Sequence, residues 1–142
     1  MSSPTYSTRM KRRGQGGTIP KVKLPKRLEK DIELEILLWL NRQPGCFAWK
    51  NKSMGTFNAK RGVYLRSHHR FNEKGTSDIL GIYRGYMLCI EVKSATGRLQ
   101  PHQAQFLDRM SEMGAIAFMA RSLDDVKGHL LQNLVERIES RF

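Results

Sequence analysis

A chain of 142 residues with two cysteines is long enough to bury a core of its own, which excludes a disulfide-stapled miniprotein. Its longest strongly apolar run, Ile36-Leu37-Leu38-Trp39-Leu40, is far too short to span a bilayer, so no membrane partner is expected. The 25 Lys and Arg outweigh the 13 Asp and Glu to give a formal charge of +12, which points to a polyanion, nucleic acid above all.

Residues 1–27 carry Arg9, Lys11, Arg12, Arg13, Lys21, Lys23, Lys26 and Arg27 with no acid among them. No apolar segment follows these cations as in a signal peptide. The stretch is rich in Gly, Ser, Thr and Pro and reads as a disordered basic arm ahead of one folded domain, 28–142. Such an arm, Arg12 and Arg13 included, binds phosphate through counterion release without needing structure. Cys46 and Cys89 show no CxxC or CxxH spacing, so they suit a reducing cytoplasm and support no zinc site.

Leu28 to Leu40 predicts the first helix, with Leu28, Ile32, Ile36, Trp39 and Leu40 at helical spacing. Gln43-Pro44-Gly45 ends it. Cys46 to Trp49 reads as a short strand, and Val63-Tyr64-Leu65 as a further strand or an ordered loop segment. Between Lys50 and Lys74 run Lys50, Lys52, Lys60, Arg61, Arg66, Arg70 and Lys74, interleaved with Trp49, Phe57 and Tyr64. Cations and aromatics on a long loop suit phosphates and splayed bases. His68, His69 and His102 lack metal-ligand spacing and are assigned to phosphate contact, packing or solvent.

Asp78 to Tyr83 and Tyr86 to Lys93, joined by Arg84-Gly85, predict an antiparallel hairpin. Pro101 opens a second helix that Gly114 closes. Ala115 to Ala120 is a buried strand, and Ser122 caps a last helix running to Ile138. The expected class is α/β, a small mixed sheet flanked by helices, in the order α-β-β-β-α-β-α.

The chemistry concentrates on the hairpin. Strand alternation puts Glu91 and Lys93 on one face while Ile90 and Val92 point into the core. Charged residues on an otherwise apolar strand need a partner, a metal or an open cleft. With Asp78 at the start of the neighbouring strand, two carboxylates meet where oxygen ligands can hold a hard dication, Mg²⁺ with Mn²⁺ as a substitute. Such a cation activates water and steadies a leaving oxygen in phosphodiester hydrolysis, and a lysine beside it offsets charge on the phosphorane.

Gly75-Thr76-Ser77-Asp78-Ile79-Leu80-Gly81 followed by Ile90-Glu91-Val92-Lys93-Ser94 resembles the PD-(D/E)XK (restriction-endonuclease-like) nuclease motif, with Ser77 where the motif name carries proline. Phe47-Ala48-Trp49-Lys50-Asn51, Thr96-Gly97-Arg98-Leu99, Gln103 with Phe106, and the Gly114 to Arg121 strand narrow the resemblance to the VRR-NUC branch. It extends from about Glu29 to Leu130. The resemblance implies Asp78, Glu91 and the Val92 carbonyl as metal ligands, Lys93 as the catalytic lysine, and Gln103 as a residue orienting the lysine or a phosphate. It also implies a metal-binding glutamate on the first helix, Glu29, with Glu33 as its rival. The DNA contacts expected are Lys50, Lys52, Lys60, Arg61, Arg66, Arg70, Lys74 and Arg98 beside the arm. The activity implied is an endonuclease of replication and repair, frequent in viruses and phages, hence in a host cytoplasm. It resembles Holliday junction resolvases that act on branched DNA as homodimers. Flap cleavage, a restriction-type nuclease and a catalytically silent DNA-binding module are the competing readings.

Overall fold

The structure is a computed structural model and describes residues 25–51, 56–65 and 73–142. Most of the basic arm, with Arg12 and Arg13, lies outside the described residues, as do Lys52, Arg66, His68, His69 and Arg70.

Helix α1 spans Glu29–Leu40 and buries Ile32, Ile36 and Leu40 at four-residue intervals. Asp31 and Glu29 sit in its first turn, at the positive end of the helix dipole. The Asn41 amide joins its end to the first strand, β1 (Cys46–Lys50). It donates to the carbonyls of Leu37 (3.0 Å) and Ala48 (2.9 Å) and accepts the Ala48 N–H (3.0 Å).

Strands β2 (Thr56–Asn58) and β3 (Val63–Leu65) form a separate antiparallel hairpin. Of the two readings of Val63-Tyr64-Leu65, the strand is the one found, and the correction concerns its partner β2, which lies in what reads as polar loop. The Asn58 side chain organises the turn by accepting the N–H groups of Lys60 (3.0 Å) and Arg61 (3.2 Å), while Gly62 takes a left-handed φ of 63°. A side chain so used is hard to tell from loop polarity in the sequence alone. The element order therefore departs from α-β-β-β-α-β-α by this inserted hairpin.

Strand β4 (Ile79–Tyr83) turns through Arg84 and Gly85, both at positive φ, into β5 (Tyr86–Val92). This is the two-residue turn geometry that matches strand twist. Helix α2 (Pro101–Glu112) crosses over to β6 (Ile116–Ala120), which pairs with β5 in parallel. The sheet order is β1-β4-β5-β6, with β1–β4 and β4–β5 antiparallel. Helix α3 (Leu123–Glu139) is capped by Ser122, whose hydroxyl accepts the Asp125 N–H.

One sheet face packs Ile79, Leu88, Ile90 and Val92 against α1 and α3. On the other face Cys89 packs with Phe106 and Leu107 of α2. Burial pushes the Cys89 thiol up to about 11, so it packs as a small apolar side chain. Among the described residues, no helix is long and apolar enough to cross a membrane.

Candidate active site

Register fixes the geometry. Ile79 pairs with Ile90, and the next step of the ladder sets Asp78 opposite Glu91. Asp78 Oδ2 accepts the Val92 N–H at 2.9 Å, which ties the start of β4 to the end of β5. Asn51 holds the other side: its N–H donates to the Asp78 carbonyl at 2.7 Å and its amide to the Ser77 carbonyl at 3.2 Å. Gly75 lets the preceding loop lie on the first turn of α2. Its φ is +78°, and a Cβ there would stand 2.4 Å from the His102 carbonyl oxygen.

Glu91 is 1% exposed, although it carries a carboxylate. Its Oε1 accepts Lys93 Nζ at 2.6 Å and also the Gln103 Nε2. Its Oε2 is buried with no hydrogen-bond partner among the described residues. Burial pushes the Glu91 carboxyl above its ordinary range; the Lys93 bond pulls it back and the Asp78 charge pushes it up again. Gln103 is fixed at both ends, since its Oε1 accepts the Gln100 N–H at 2.9 Å in a capping box while its Nε2 serves Glu91.

Asp78, Glu91, Val92, Lys93 and Gln103 thus meet at one end of the sheet. The helix glutamates stand beside this group with partners of their own. Glu29 Oε1 accepts the Ser94 N–H at 3.0 Å. Glu33 is buried and pairs with Lys50 Nζ at 2.6 Å, a bond that raises the Lys50 pKa, with the Asp78 charge adding to it. Among the described residues, no cluster of three or more His, Cys, Asp or Glu is arranged to hold a metal. The donor set is two carboxylates plus backbone carbonyl, which suits an ion that retains several waters.

Of the expected DNA contacts, Lys60 and Arg61 lie exposed at the β2–β3 turn, and Lys74 and Arg98 are exposed in the loops before β4 and after β5. Lys50 is shared with Glu33. Sequence reasoning assigned no role to Arg121 or Asn51. Arg121 donates to the carbonyls of Ser94 and Gly97 (2.8 Å to Gly97), clamping the loop that follows Lys93. Only the position of Arg121 just after a buried strand could have signalled this.

The fold is similar to a solved structure described as a VRR_NUC domain protein. That chain is 18% identical, with a TM-score of 0.51, and the match covers 77% of this chain and 89% of that one. No family model matches the sequence, and no curated protein matches it significantly.

Proposed function

We propose that the protein is a metal-dependent endonuclease that hydrolyses DNA phosphodiester bonds, branched DNA foremost, at Asp78, Glu91 and Lys93. The observation that carries this reading is the Glu91 carboxylate, buried with one oxygen shared by two donors and the other without a partner among the described residues. An unsatisfied buried acceptor costs about 1–3 kcal/mol, more when charged, and is kept where chemistry requires it. A hard dication beside Asp78 answers that deficit, and the residues present fit one: Asp78, Glu91 and the Val92 carbonyl as oxygen ligands for Mg²⁺ or Mn²⁺.

Bound there, the ion supplies charge stabilisation at the scissile phosphate and lowers the pKa of water. Lys93 holds a positive charge on the same face of β5, placed to offset charge on a phosphorane. Gln103 keeps the Glu91 carboxylate in one orientation. The exposed cations contribute backbone contact without base reading. A homodimer would bring two such sites to the two strands of a junction. The VRR_NUC likeness of the fold supports the nuclease reading and leaves the DNA structure to experiment.

The test is cleavage of linear duplex, flap and four-way junction DNA at equal salt, with Mg²⁺ and with EDTA. Junctions are expected to be cut fastest, EDTA to stop cutting, and Asp78→Ala or Glu91→Ala to abolish it with DNA binding retained. Undiminished cutting in EDTA, or by both variants, overturns the reading.

A further inference from the structure

The sheet face that carries Asp78 and Glu91 is only half covered. Helix α2 lies over the β5–β6 half, where Cys89, Ala117 and Met119 pack against it. Leu80 of β4 still packs with that cluster, and among the described residues the face beyond it, toward β1, is open. Register places Phe47 opposite Ile82 and Trp49 opposite Leu80, with Leu80 opposite Cys89, so Phe47 and Trp49 project on the side of Glu91. Phe47 is 68% exposed, Trp49 41% and Ile82 49%. The two rings stand 5.6 Å apart at 43°. Trp49 is also the diagonal neighbour of Asp78, a separation of roughly 7–8 Å, within reach of a base next to a phosphate held at Asp78.

Exposed aromatics on an edge strand invite aggregation unless they serve a partner. The area is small. Three partly exposed apolar side chains present a few hundred Å² at most, below the roughly 800 Å² per partner of a stable protein interface. The patch lies on the same sheet face as the carboxylates and belongs to a chain of net charge +12. Those features select a polyanion that carries flat rings.

We propose that Phe47 and Trp49 form a stacking platform for unpaired bases of the DNA strand whose phosphate lies at Asp78 and Glu91. The proposal rests on the nuclease reading and names a feature of its branched substrate: bases that come unpaired beside the cut, at the branch point. A strand at the carboxylates runs past the edge of α2 and over the open half of the sheet, where its bases meet the two rings. Aromatic stacking accepts any base, so the platform contributes affinity for unpaired DNA without sequence preference.

The test is binding in EDTA, where no cutting occurs, of a labelled oligothymidylate and of a blunt hairpin duplex to the full chain. Trp49→Ala is expected to weaken oligothymidylate binding roughly tenfold, and Phe47→Ala with Trp49→Ala further. Trp49→Phe is expected to restore most of it and Trp49→Leu not. Duplex affinity and the slope of log K against log salt are expected to hold, because phosphate contacts are untouched. In a Trp39→Phe chain, the remaining Trp49 emission is expected to be quenched by the oligothymidylate. Unchanged oligothymidylate binding in Trp49→Ala overturns the platform. So does an equal loss on duplex, full restoration by leucine, or a loss that tracks a shift from dimer to monomer in sedimentation. Failure of the nuclease reading shows separately, as cutting that survives Asp78→Ala and Glu91→Ala.

Discussion

Gln103 donates its amide to Glu91 while its carbonyl oxygen accepts the Gln100 N–H, so one side chain both starts α2 and holds the carboxylate beneath it. The two roles separate by substitution. Gln103→Ala removes both, and Gln103→Glu keeps the acceptor for Gln100 while replacing the donor to Glu91 with a like charge. Both variants are expected to cut about ten- to a hundredfold more slowly, the usual cost of losing a partner that orients a ligand. Thermal melting is expected to fall for both, for the alanine through the lost cap and for the glutamate through the like charge set against buried Glu91. DNA binding in EDTA is expected to hold for both. A Gln103→Glu protein that cuts at the wild-type rate would show that the amide orients nothing.

Metal binding at Glu91 is expected to depend on pH above the range of an ordinary carboxylate. Burial raises this carboxyl from 4.5, so the folded, metal-free chain keeps a proton there that the unfolded chain has already released. The sign follows. Between 4.5 and the raised value the folded state binds more protons, so this group's contribution to stability is present at low pH and is lost as pH rises. Mg²⁺ requires the ionised form, so its affinity rises through the same window and binding expels a proton. Calorimetry in two buffers of different ionisation heat, at mildly acidic pH, is expected to show that proton, and Glu91→Gln to lose it together with Mg²⁺ binding. Proton release identical at acidic and alkaline pH contradicts the assignment.

The hairpin and the buried β6 were legible because their signals are local: alternation, a glycine turn and an unbroken apolar run. Glu91 stood out for the same reason, as a charge near the end of an apolar strand. The β2–β3 hairpin was legible only as a strand-or-loop reading of Val63–Leu65, because three-residue strands carry too little alternation and the Asn58 turn reads as loop polarity. The loop clamp of Arg121 was not legible, since its acceptors are the carbonyls of Ser94 and Gly97, far away in sequence. Backbone acceptors leave no trace in side-chain patterns. Gly75 shows the same limit: the residue is plain in the sequence, but its close approach to His102 depends on how α2 folds back.

The first helix offers two acids to the site, and their partners predict which of them matters to the metal. Glu29 is bonded to the Ser94 N–H, directly after Lys93, and a Cβ at Gly97 would stand 2.8 Å from its Oε1. What it does there, accepting a backbone N–H, an amide oxygen does equally well. Glu33 lies buried against Lys50, whose ammonium also feels Asp78. Removing the Glu33 charge leaves Lys50 uncompensated beside Asp78, the proposed metal ligand, and a cation there would oppose Mg²⁺. Glu29→Gln is therefore expected to keep wild-type Mg²⁺ affinity and cutting. Glu29→Ala is expected to slow cutting by loosening the loop behind Lys93. Glu33→Gln is expected to weaken Mg²⁺ roughly tenfold, with cutting restored at high Mg²⁺. The measurement is the Mg²⁺ dependence of single-turnover cleavage for the three variants. If Glu29→Gln loses Mg²⁺ as Asp78→Ala does while Glu33→Gln binds it normally, Glu29 is the acid that reaches the metal, and its bond to Ser94 must give way when the ion arrives.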